Sequence, residues 1–101
     1  MAKRQDLNDK LNLLFASYKV YFQPPENKKL TYPCVIYKLA GVDIDYGDDR
    51  PYFRTRYYTV TVISRDPDFD LDIMLDNFEN VSFDRSFVND NLYHYVYRLY
   101  F

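Results

Sequence analysis

Residues able to carry chemistry are sparse in this chain, which has one histidine, His94, and one cysteine, Cys34. A structural zinc site takes about four ligands, and one thiol with one imidazole cannot build a thiolate-rich set. A Cys–His pair could join a nucleophile to its base, but that chemistry also needs a third group to orient the base. The local contexts point elsewhere. Cys34 lies in Pro33-Cys34-Val35-Ile36, an apolar strand pattern in which cysteine serves as a small core residue. His94 alternates with Leu92 and Val96, as a strand residue satisfied by a hydrogen bond does. The acidic run Asp66, Asp68, Asp70, Asp72 invites a calcium reading. An EF-hand loop needs glycine at its sixth position and a bidentate Glu at its twelfth; counted from Asp66, those positions hold Leu71 and Asn77. Helix capping is the better use for these aspartates. Gly41 and Gly47 are the only glycines, so a Gly-rich phosphate loop is excluded. The expectation is a protein that is not an enzyme and has no cofactor and no metal.

One constellation has the chemistry of recognition. Arg54, Arg56, Tyr57 and Tyr58, with Tyr52 and Phe53, mix cations and rings on one strand. Single-stranded nucleic-acid platforms use that mixture, stacking bases on rings and pairing phosphates with cations. Ordinary cross-strand Arg–Asp pairing explains the same residues. Lys and Arg total 13 against 15 Asp and Glu, a net charge of -2, which weighs against duplex binding.

The 101 residues fit a single domain, 1–101. Hydrophobic residues make up 48% and aromatics 20%, which excludes a disordered profile. Twelve Tyr, eight Phe and no Trp are the more telling numbers. A Tyr ring suits half-buried faces and interfaces, so the surplus predicts that some surface meets another protein. A lone cysteine excludes an internal disulfide and fits a reducing compartment. The start Met1-Ala2-Lys3-Arg4-Gln5-Asp6 lacks the apolar core of a signal peptide. No apolar run approaches the ~20 residues a membrane helix requires. The expectation is a soluble, intracellular chain with no membrane partner.

The elements that must position these residues follow from periodicity. Leu7, Leu11, Leu14, Phe15 and Tyr18 have helical spacing, predicting a helix over 6–17 with Asp6 as N-cap and Lys3, Arg4 and Lys10 on or before its solvated side. Lys19–Phe22 predicts a short strand. Residues 23–33, with Pro24 and Pro25, break regular structure. Cys34–Leu39 predicts a strand, and Val42–Tyr46 alternates as either an extended arm or the end of that strand. Asp48-Asp49-Arg50-Pro51 predicts a turn, and 53–65 the clearest strand, its two faces both β-branched or aromatic. Leu71, Met74, Leu75 and Phe78 mark a second helix capped by Asp68 or Asp70. A hairpin follows, turning at Asn89-Asp90-Asn91. Its last strand sets Tyr93, Tyr95, Tyr97, Leu99 and Phe101 on one face, an all-apolar row that needs a cover. The predicted fold is α+β, a mostly antiparallel four-stranded sheet with two helices packed on one face, in the order α-β-β-β-α-β-β.

Four segments, taken in order, carry a family resemblance. Tyr32-Pro33-Cys34-Val35-Ile36-Tyr37, then Tyr57–Ile63 running into Asp66-Pro67-Asp68, then Ser82-Phe83-Asp84-Arg85, and last Asp90–Tyr97 resemble the tail completion or tail terminator proteins of long-tailed bacteriophages. The likeness spans about residues 30–101 and the preceding helix. It implies a structural virion protein, assembled in the host bacterial cytoplasm. Such a subunit forms a six-membered ring that caps the tail tube and joins it to the head connector. The implied partners are further copies of the chain, the major tail tube protein and the head–tail connector or stopper proteins. Genome DNA would pass through the lumen without sequence-specific binding. A head–tail joining or neck protein is a near neighbour of this reading. The resemblance brings no catalytic residues. A small single-stranded nucleic-acid-binding module and a phage-encoded inhibitor of a host protein are the alternatives.

Two polar segments are the candidate ring contacts, the alternative being that both are flexible loops in water. Residues 23–33 carry Lys28 and Lys29; residues 41–52 carry Asp43, Asp45, Asp48, Asp49 and Arg50, with Arg54 and Arg56 just beyond. Their largely opposite charges would let the basic segment of one copy meet the acidic segment of the next.

Overall fold

A computed structural model describes the backbone of residues 4–25, 29–47 and 50–101, and the side chains among these except 43–47 and 50–55. Seven elements run in the expected order: α1 (Arg4–Leu14), β1 (Lys19–Phe22), β2 (Cys34–Gly47), β3 (Arg50–Ser64), α2 (Asp72–Asn77), β4 (Val81–Asn89) and β5 (Leu92–Tyr100). The fold is α+β, but the sheet has five strands, ordered β1-β2-β3-β5-β4, and is mixed. The expected four-stranded antiparallel sheet is corrected by β1, which pairs parallel with β2, Lys19 opposite Cys34 through Phe22 opposite Tyr37. The reason lies in residues 23–33. Pro24 and Pro25 cannot make a tight hairpin return, and the stretch is long enough to cross over and re-enter in the same direction.

Both helices cover one face. Leu7, Leu11 and Phe15 from the first, and Met74 and Phe78 from the second, join Val35, Tyr37, Tyr58, Val60, Val62, Tyr95, Tyr97 and Leu99 in one core. The all-apolar face of β5 is therefore the helix-covered one. The tyrosine surplus is partly absorbed here: Tyr37, Tyr58, Tyr95 and Tyr97 are buried, not surface rings awaiting a partner. The hydroxyls of Tyr37 and Tyr97 reach polar groups at the core's margin. Tyr37 donates to Asn8 Oδ1 at 2.7 Å, and Tyr97 donates to the Leu71 carbonyl at 3.1 Å.

Boundaries differ from expectation at both helices. The first covers Arg4–Leu14, so Asp6 sits within its first turn and is not the N-cap. Phe15 and Tyr18 keep the apolar stripe beyond its end, in a turn closed by Tyr18 N–H to the Phe15 carbonyl. Arg4 and Lys10 are half-buried instead of solvated. The Arg4 guanidinium donates to Tyr37 Oη and lies 4.6 Å from the Phe22 ring centre, and Lys10 Nζ lies 4.4 Å from that of Phe78. Both cationic heads thus lie on aromatic rings at the edge of the core. Lys3 lies outside the described residues. At α2 the N-cap position is Leu71, without a side-chain cap; Asp70 Oδ1 accepts from the Asp72 amide and Asp66 Oδ1 from the Asp68 amide. Leu75 points outward from this short helix.

The segment after Leu39 is the end of a long strand. β2 continues to Gly47, and Arg50 and Pro51, expected in a turn, already pair with Gly47 and Tyr46. Asp48 and Asp49 lie outside the described residues. At the other hairpin Asp90 and Asn91 take φ of 53° and 62°, the two left-handed residues of a tight connection that matches strand twist.

Candidate interaction surfaces

Register separates the two residues with catalytic potential. Cys34 pairs with Ile63, and Ile63 with His94, so a whole strand stands between them, about 10 Å at two strand spacings. His94 Nδ1 is 3.0 Å from the Leu92 carbonyl, and its ring stacks on Phe87 at 4.6 Å. Burial pushes the Cys34 thiol up to about 11, so it is not a thiolate near neutrality. The structure does not bring this pair together. The aspartates at 66 and 70 engage backbone amides, and among the described residues no three His, Cys, Asp or Glu are grouped to hold a metal ion.

The sheet face away from the helices is built from alternate residues of four strands. Lys38, Thr59 and Arg98 form one cross-strand row. Ile36, Thr61, Val96 and Arg85 form the next. The Arg98 guanidinium lies 5.1 Å from the Tyr57 ring centre, and Tyr57 packs on Tyr100 at 5.3 Å. Pro24, Leu30 and Tyr32 lean over part of this face and close a cleft above Ile36, Thr61 and His94. The described part of 23–33 is thus a cover on its own sheet, held by Gln23 Oε1 accepting from the Leu39 amide. No helix of the described residues is long and apolar enough to cross a membrane.

Besides the outer side of β1, two stretches of backbone edge stand out. β4 lies at the sheet margin, paired only with β5. All its residues after Val81 are exposed, and a bulge interrupts it between Phe83 and Arg85. The other edge belongs to a two-stranded ribbon. β3 meets β5 only from Tyr57 on, whereas its pairing with β2 continues outward from Gly41–Tyr57 to Gly47–Arg50. The ribbon therefore runs roughly 20 Å past the body at the usual strand rise. The molecule spans 50 × 29 × 24 Å with a radius of gyration of 14.8 Å. A compact chain of this length would have about 13 Å.

The residues expected at contacts fall unevenly on this frame. Lys28, Asp48 and Asp49 lie outside the described residues. Asp43, Asp45, Arg50 and Arg54 belong to ribbon strands, their side chains among those not described. Lys29 and Arg56 are exposed. The mixed Arg–Tyr strand is divided by the pleat: Tyr57 faces the open side, and Tyr58 is buried against Tyr37. Sequence reading missed Arg98, which meets Tyr57 from the neighbouring strand, and Lys38, which stands in the adjoining row opposite Thr59. The alternation of Arg98 with Tyr100 was the available signal, but register across strands was needed to use it. Compared with family models, with curated proteins and with solved structures, the chain matches none.

Proposed function

We propose that this chain is a structural subunit of a long-tailed bacteriophage virion, forming a ring of six copies that caps the tail tube and joins it to the head connector. The likeness of Tyr32–Tyr37, Tyr57–Asp68, Ser82–Arg85 and Asp90–Tyr97 to tail terminator proteins motivates the identity. The observation that carries an assembly role is the ribbon. An isolated two-stranded hairpin is marginal in water, so one extending past the body gains its order from a neighbour. Ordering it costs conformational entropy, which a template offsets, so the free protein is monomeric or weakly associated. The test mixes the purified protein with tail tubes and images them. Rings seated at one tube end, together with weak self-association by light scattering, are the expected result. Tubes that stay uncapped at saturating protein would overturn the reading.

The open sheet face favours a second reading, a single-stranded nucleic-acid module. Arg98 lies over Tyr57, which packs on Tyr100, and Lys38 stands in the adjoining row, a cation-and-ring surface without helix cover. Its test is filter binding of an oligonucleotide. A steep salt dependence abolished by Arg98→Ala supports this reading, and indifference to that change removes it.

A further inference from the structure

We propose that the cleft on the open sheet face binds one small amphipathic carboxylate, its anionic end at Lys38 and its apolar body beneath Pro24, Leu30 and Tyr32. This goes beyond the ring reading and does not depend on it. The cleft has a volume of about 440 Å³, inside the range of small-molecule sites, roughly 300–1,000 Å³. Pro24, Leu30 and Tyr32 line it from above, and Ile36 and Ile63 from the sheet. The covering segment is tied at both ends. Gln23 Oε1 accepts from the Leu39 amide at 3.1 Å, and the Thr31 amide donates to Tyr21 Oη at 3.2 Å. A slot covered in this way suits a slender chain better than the flat surface of a folded partner.

Charge fixes the ligand class. Among the described residues, Lys38 is the only lysine, arginine, aspartate or glutamate in the lining, and it makes no ion pair. One cation matches one monoanion. A terminal phosphate would keep a second charge unpaired, and a nucleic-acid strand would bring a run of anions to a single lysine. Thr59, directly opposite Lys38, adds a hydroxyl donor at the same end. Hydrogen bonding fixes the direction. His94 Nδ1 lies 3.0 Å from the Leu92 carbonyl, which can only accept, so Nδ1 carries the proton and Nε2 of the neutral ring is an acceptor. An acceptor repels a carboxylate, so the anion belongs at the other end. Thr59 and Ile63, the partners of Lys38 and His94, are four residues apart, which separates the two ends by about 13 Å along the strand. The hydrocarbon body then lies over Ile36 and Ile63.

The test is calorimetric titration of the full chain with octanoate, with octanol, octylamine and acetate as comparisons. Octanoate should bind once per chain, and octanol and acetate about ten-fold more weakly or less. Lys38→Gln should weaken octanoate about ten-fold, as for loss of a charge-assisted hydrogen bond, and Lys38→Glu should transfer the preference to octylamine. Lys38 is exposed, so both variants should keep the fold, which their thermal melts check. Leu30→Asp, a change in the covering segment, should abolish octanoate binding. Methyl NMR signals of Leu30, Ile36 and Ile63 should shift on titration. Equal affinity for octanoate and octanol, or octanoate binding unchanged in Lys38→Gln, would overturn the anchor and with it the proposal. Acetate binding as tightly as octanoate would overturn the apolar body. Shifts confined to the helix-covered side would overturn the site. Displacement of octanoate by an equal amount of oligonucleotide would overturn the carboxylate and assign the cleft to nucleic acid. No binding by calorimetry would overturn the site and leave the ring reading standing.

Discussion

At the scale of single residues, burial sets the chemistry of the polar core. Tyr97 lies fully buried beneath α2, and burial, with Tyr95, Asp70 and Asp72 adding to it, pushes its phenol up to about 12. A raised phenol stabilises the fold fully below its ordinary value of about 10 and loses that contribution as pH rises through the folded value. Stability should therefore fall between about pH 10 and 12. Tyr97→Phe should flatten that fall in urea titrations at several pH values, while costing about 1 kcal/mol at neutral pH for the lost bond to Leu71. Cys34 follows the same logic. Its neutral, shielded thiol should resist a thiol reagent at pH 8 until denaturant is added; prompt reaction in the native protein would show that β2 opens there. Cys34→Ala and His94→Gln should each cost on the order of 1 kcal/mol and leave assembly intact. Loss of function in either folded, assembled variant would restore a chemical role.

At the scale of elements, the ribbon depends on one close approach. A Cβ on Gly41 would strike the Tyr57 ring, which lies across it where the β2–β3 register shifts. Gly41→Ala should displace that ring from Tyr100 and Arg98, with a loss of about 1–3 kcal/mol, as for other overpacked sites. In a Tyr57→Ser background the same change should cost little. Equal costs in thermal melts of both backgrounds would mean that the strain lies in the backbone and not in the ring contact.

At the scale of the whole molecule, charge offers a second handle on assembly. Lys28 and Lys29 precede β2 in the sequence, and Asp48 and Asp49 lie between Gly47 and Arg50. If these segments meet between copies, Lys28→Glu with Lys29→Glu should impair ring formation. Adding Asp48→Lys with Asp49→Lys in the same chain should partly restore it. The readout is the number of capped tubes at low and high salt, since exposed pairs weaken beyond a Debye length of about 8 Å at physiological salt. Normal capping by the first variant would remove these charges from the joint.

What the amino-acid sequence determined by itself was local. The order α-β-β-β-α-β-β, the strand at 19–22, the Asp90-Asn91 connection and the alternation along β5 all follow from spacing within a few residues. Periodicity reports which residues share a face, and Leu7, Leu11, Met74 and Phe78 needed nothing more to be read as core. Only the tertiary structure decided which face the helices cover and which strands stand at the margins. Val81, Phe83, Phe87 and Val88 have the composition of a half-buried strand, yet β4 is an exposed edge, because alternation carries no information about the next strand over. The parallel entry of β1 depended on the pairing of Lys19–Phe22 with Cys34–Tyr37. The ribbon depended on where β5 stops pairing with β3. Each is set by contacts between residues far apart in sequence, and so is the pairing of Lys38, Thr59 and Arg98 into one row.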